Sequence, residues 1–197
     1  MEINEKQIDI IKEMLNIGVG RAANVLNTML KSHVALYVPN VQIINIDMLE
    51  KTFQLAKDQS TAGVQIGFEG DFSGLSLIIF PMDSASKIVS EVIQDNVSKT
   101  GLNSIQSGTL TEVGNILLNN VIGTFGNMLN THMRYTLPEY FNGPVTNLID
   151  MQKISSSAMI LIAEAKFTIE TLQISGEVML IFEVDSFDLF IEAINSL

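Results

Sequence analysis

Residues 13–33 read EMLNIGVGRAANVLNTMLKSH, and residues 112–132 read EVGNILLNNVIGTFGNMLNTH. Laid over each other at a shift of 99, they match at Glu13 and Glu112, Asn16 and Asn115, Ile17 and Ile116. The same shift matches Met29 with Met128, Leu30 with Leu129, His33 with His132 and, further on, Pro39 with Pro138. Later the shift becomes 102: Ser73-Gly74 meets Ser175-Gly176, Phe80 meets Phe182, and Asp83-Ser84 meets Asp185-Ser186. Repetition of this kind decides architecture before any motif does. Each half should carry a long helix, an extended segment ending at Pro, a hairpin around Ser-Gly and a closing helix.

Local patterns support that order. From Asn4 to Lys31, Ile8, Ile11, Leu15, Gly18, Ala22, Val25 and Met29 recur at helical spacing. Asn4 and Gln7 form a capping-box pattern at the start. Gly108 to Asn130 is the matching helix, with Thr109 and Glu112 as a second capping-box pattern. Strands are expected over Val34–Pro39 and Met133–Pro138, and as hairpins over Ala62–Phe68 with Leu75–Phe80 and Ser157–Phe167 with Val178–Phe182. Asp83 and Asp185 are suited to cap closing helices at Ser84–Gln94 and Ser186–Asn195. No low-complexity linker separates the halves. The expectation is a single domain of two repeats, about 1–98 and 99–197. Its fold class is α+β: a pseudo-twofold duplicated unit with long helices packed on a shared, mostly antiparallel sheet.

Composition narrows the chemistry. The 197 residues include 22 acidic and 11 basic side chains, for a net charge of −11. A chain of this size buries roughly 70 per cent of its unfolded surface, enough for a core without staples. Nucleic acid is a poor partner, because phosphate binding needs clustered Lys and Arg. With no Cys there is no disulfide, thiolate nucleophile or CxxC zinc site. His33 and His132 are the only imidazoles, so no metal site is expected. They end the long helices, where a cation suits the helix dipole. The N-terminal Met-Glu-Ile-Asn-Glu-Lys is charged where a signal peptide needs an apolar run, and no apolar stretch reaches a membrane-spanning length. A soluble, cytoplasmic protein is expected.

The candidate chemistry lies on the long helices. Glu13 and Asn16, three residues apart, share one helix face. Gly20 continues that face and Asp9 precedes it, while Ile11, Leu15, Ala22 and Val25 should be buried on the other side. The second helix repeats this with Glu112, Asn115 and Asn119, followed by Gly123 and Gly126. An exposed helical Glu is ordinarily a solvating residue. A mid-helix Asn is harder to dismiss, because Asn is a mediocre helix former and here it occurs at equivalent points of both copies.

Asp9, Glu13, Asn16 and Pro39 resemble the pattern Asp/Ser-x3-Glu-x2-Asn-x22-Pro of the CheC/CheX/FliY phosphatases of bacterial chemotaxis. Glu112, Asn115 and Pro138 fit it again at the same spacings, although Gly108 stands where the second copy expects Asp or Ser. The two-motif form corresponds to the CheC branch. The resemblance implies a phosphatase acting on the aspartyl phosphate of a response-regulator receiver such as CheY. Asn16 and Asn115 would position water, and Glu13 and Glu112 would pair with a receiver Lys. Asp9, Gly20, Asn119 and Gly123 would assist docking. The chain would need no cofactor of its own, with Mg²⁺ supplied by the receiver, and would act as a monomer. The alternative is a non-catalytic adaptor for a receiver or for the receptor deamidase CheD, in which Phe187 or Phe190 on the closing helix matter more than either Asn. A structural scaffold is the third reading.

Overall fold

The computed structural model describes residues 3–45, 48, 60–95, 97, 101–143, 158–169, 172–183 and 185–197. Ser157 and the expected boundary at 98/99 lie outside them. Helix α1 spans Glu5–Leu30 and begins with the expected capping box: Gln7 N–H donates to Asn4 Oδ1 at 3.0 Å, and Asn4 N–H donates to Gln7 Oε1 at 2.9 Å. Strand β1 (Val34–Asn45) follows, then the hairpin β2 (Thr61–Gly70) and β3 (Gly74–Pro81), and helix α2 (Met82–Ile93). The second half runs α3 (Ser104–Leu129), β4 (Met133–Tyr135), β5 (Glu139–Asn142), the hairpin β6 (Met159–Ile169) and β7 (Leu172–Phe182), and α4 (Ser186–Asn195).

The seven strands among the described residues join one antiparallel sheet in the order β1-β6-β7-β3-β2-β4, with β5 also on β2. Its pattern is pseudo-twofold. Strands β3 and β7 meet at the centre, where Leu77 lies opposite Met179, its own counterpart at a shift of 102. Outward from there, β1 pairs with β6, and β4 and β5 pair with β2, so the first strand of each half is hosted by the other half.

Helices α1 to α4 share a core with one face of the sheet, built from Ile11, Leu15, Ala22, Leu117, Val121, Val64, Phe80 and Phe182 among others. Phe190 of α4 stacks on Phe182 at 4.8 Å between ring centroids and meets Phe125 of α3 at 5.5 Å. Helices α1 and α3 approach closely because Gly18 has no side chain: a Cβ there would sit 2.8 Å from Val121 Cα. Gly114 plays the same part between α3 and β2, against Val64. A second cluster, including Leu77, Ile79, Ile160, Met179 and Ile181, occupies the opposite face of the sheet.

Several sequence expectations need correction. Helix α3 starts four residues before Gly108, at Ser104, capped by Asn103 with Gln106; Thr109 is inside it and donates to Ile105 O. Ser175-Gly176 lies within β7 rather than in a turn, and Gly176 is needed because a Cβ would meet the Phe80 ring at 2.5 Å. Asp83 sits in the first turn of α2, ion-paired with Lys87, and Pro81 is the N-cap. Asp185 is the N-cap of α4 but makes no capping bond. Val25 is exposed, whereas Phe187 and Phe190 are buried in the core, so neither aromatic offers a binding surface.

One pairing on the sheet is unfavourable. Glu164 and Glu177 lie directly opposite on β6 and β7. Glu164 bonds Lys166 at 3.3 Å and accepts from Asn40 Nδ2 at 3.2 Å. Burial, and then the Glu164 charge, push the Glu177 carboxyl above its ordinary range. A raised folded-state value favours the protonated form. Its stabilising effect is full below the unfolded-state value and lost as pH rises through the folded one. Glu177→Gln is therefore expected to be more stable than the parent near neutral pH, the advantage shrinking as pH falls, in denaturant titrations across pH. Gly18→Ala is expected to lower stability by about 1–2 kcal/mol in the same measurement, because the rigid Val121 backbone must yield.

Candidate functional site

The two motif faces are placed by their helices, and on α1 the neighbouring strand takes up the Asn. In β1 the pairing with β6 slips by one residue between Tyr37 and Asn40, leaving Val38 and Pro39 in a bulge. Proline suits a bulge, since it has no N–H to give a ladder. Val38 N–H donates instead to Asn16 Oδ1 at 2.8 Å, and Asn16 Nδ2 donates to Val38 O at 3.2 Å. A carboxamide carries the same donor and acceptor as a peptide, so Asn16 substitutes for the missing strand partner. Its other amide hydrogen goes to Lys12 O at 2.9 Å. The Asn-x22-Pro spacing thus has a local cause: Asn16 brackets the residue that precedes Pro39.

On α3 the same slip occurs between β4 and β5, with Tyr135 opposite Phe68 and Glu139 opposite Gln65. Asn115 does not turn to that strand. Asn119 Nδ2 donates to Asn115 Oδ1 at 2.7 Å, and among the described residues Asn115 Nδ2 has no partner. The difference follows from one position per helix, since Gly20 stands where α3 has Asn119 and nothing on α1 competes for Asn16. Asn119 Oδ1 is itself buried without a hydrogen-bond partner among the described residues. The bulged residues diverge too: Val38 is 1 % exposed and its counterpart Leu137 is 84 % exposed.

Glu13, Glu112 and Asp9 are exposed and carry no ion pair among the described residues. A Cβ at Gly20 would meet nothing within 4 Å, and one at Gly123 only Tyr135 Oη at 3.8 Å. Among the described residues no contact demands glycine at either position. Arg21 reaches across to α3, donating to Thr124 Oγ1 at 3.2 Å. Among the described residues no cluster of acidic or imidazole groups could hold a metal ion, and no helix is long and apolar enough to cross a membrane. Burial raises the Tyr135 phenol, keeping it a neutral donor beside Gly123. The sequence reading did not foresee Val38, Tyr135, Leu137 or the grip of Asn119 on Asn115.

The family model described as chemotaxis phosphatase CheX matches residues 62–163. The chain belongs to this family of chemotaxis phosphatases, the CheC/CheX/FliY group. It is 23% identical over 202 residues to the CheY-P phosphatase CheC of Bacillus subtilis (strain 168), spanning 98% of this chain and 96% of that protein. Its fold is similar to that of Thermotoga maritima FliY, with a TM-score of 0.81 at 16% identity over 100% of this chain and 99% of that one. It is also similar to a chain of the CheX-CheY-BeF3-Mg+2 complex from Borrelia burgdorferi, with a TM-score of 0.53 at 20% identity over 89% and 99% of the two chains.

The open space at Gly20 gives a check on the local geometry. Gly20→Ala is expected to leave stability unchanged or raise it by up to about 1 kcal/mol through helix propensity, measured by thermal denaturation.

Proposed function

We propose that this chain accelerates hydrolysis of the aspartyl phosphate on a CheY-type receiver. The observation that carries the reading is the α3 face, where an unpaired, exposed Glu112 lies one turn from Asn115, whose Nδ2 is free among the described residues. Family membership supports it, as do the names of the relatives: a CheY-P phosphatase, and a CheX bound to CheY with BeF3 and Mg²⁺.

An acyl phosphate is already reactive, so catalysis rests on placing water in line and stabilising charge. The second lone pair of Asn115 Oδ1 accepts a hydrogen from that water, and Nδ2 donates to a phosphoryl oxygen. Water attacks phosphorus, the bond to the aspartyl oxygen breaks, and the receiver carboxylate leaves. The water's proton departs with inorganic phosphate. Glu112 meets a receiver ammonium beside the phosphate and sets the docking pose. Asn119 holds Asn115 at the required height, and Gly123 lets the receiver surface come close. The Mg²⁺ belongs to the receiver. We further propose that residues of about 1–98 and 99–197 are tandem copies folded as one domain. The repeated spacings, the pairing of Leu77 with Met179 and the shared strand slip support this.

The test is the decay of a phosphorylated CheY-type receiver with and without the protein. The parent should accelerate it, and Glu112→Ala and Asn115→Ala should each lower the acceleration at least tenfold (about 1.4 kcal/mol or more of barrier). Undiminished turnover in both variants sinks the assignment.

A further inference from the structure

We propose that the two helix faces have divided their roles, so that the chain engages one receiver at a time, through α3, while Asn16 serves as a bracket for the β1 bulge. The catalytic half of this proposal rests on the phosphatase reading above; the bracket half does not.

Three differences carry the inference. The Asn16 carboxamide has both hydrogens committed, to Val38 O and Lys12 O, and its oxygen accepts from Val38 N–H. It has no donor left for a phosphoryl group, and releasing it would strip the backbone of Val38, a residue 1 % exposed, of its partners. Asn115 makes one bond, to another side chain on its own helix, and breaks nothing in the sheet when it meets a ligand. The surroundings differ in the same sense. Asn119, which grips Asn115, keeps a buried Oδ1 without a partner among the described residues, and the chain after α3 exposes Tyr135, whose Oη faces Gly123, and Leu137. Beside Asn16 the counterpart of Leu137 is tucked into the core as Val38. The α1 face has its Asn taken up by the neighbouring strand, and the α3 face keeps an exposed Glu112 one turn from an Asn115 that the sheet does not hold.

The experiment compares the parent with Asn16→Ala, Asn16→Asp and Asn115→Ala. Thermal denaturation without any receiver is expected to show Asn16→Ala melting roughly 5–10 °C below the parent and Asn115→Ala within about 2 °C of it. Asn16→Asp keeps an acceptor for Val38 N–H but loses both donors, and should fall between. It carries the comparison if Asn16→Ala does not fold. Against a CheY-type receiver phosphorylated with acetyl phosphate, below every melting transition, the folded Asn16 variants should stay within about twofold of the parent rate, and Asn115→Ala should fall at least tenfold. Calorimetry with the same receiver loaded with beryllofluoride and Mg²⁺ should give one receiver per chain. Unchanged melting of the Asn16 variants, equal rate losses at the two Asn positions, or two receivers per chain would overturn the proposal. A parent that fails to accelerate decay overturns the phosphatase reading and with it the catalytic half, while the melting series still decides the bracket.

Discussion

Everything in this molecule depends on the exchange of first strands between its two halves. Strand β1 has its ladder on β6, and β4 and β5 have theirs on β2, with β3 against β7 holding the two hairpins together. Backbone N–H and C=O groups left without partners in a buried sheet cost too much to tolerate. Neither half can therefore satisfy its own strands alone. The exchange also sets the two long helices side by side, each lying over a bulged strand. Their motif faces differ because one helix position differs, Gly20 on α1 against Asn119 on α3.

Much of this was legible in the residues. The 3.6-residue spacing of Ile11, Leu15, Gly18 and Ala22 places the buried side of α1 correctly, and period-two patterns locate both hairpins. The start of α3 lies at Ser104, ahead of the Gly108 expected, and Thr109 with Glu112 only imitates a capping box inside the helix. The true box, Asn103 with Gln106, is the counterpart of Asn4 with Gln7 at the same shift of 99, so the repeat itself contains the answer. Local cap chemistry is ambiguous wherever two candidate boxes lie within two turns of each other. Only the longer-range pattern separates them.

The site was legible to a smaller degree. Residue identity and spacing place Glu13 with Asn16 and Glu112 with Asn115, each pair on one face. What each carboxamide bonds depends on a one-residue slip in a strand, which leaves no mark in hydrophobic periodicity. The difference between Gly20 and Asn119, small on paper, decides whether an Asn is gripped from its own helix or turns to the neighbouring strand. The opposed Glu164 and Glu177 were equally hidden, because cross-strand register cannot be read from one strand alone.

The strand exchange has a further consequence for how the chain reaches this state. Val34 lies opposite Ile169, and the rest of β1 pairs with the remainder of β6. Contacts so distant in sequence delay folding, since a long loop must close before they contribute. During synthesis α1 and β1 leave the ribosome well before the strand that completes them. The first half then carries an open sheet edge and an uncovered apolar helix face. In that interval a second nascent chain offers the missing strand, so the arrangement that gives the finished chain its continuity also exposes it to domain swapping while it is being made.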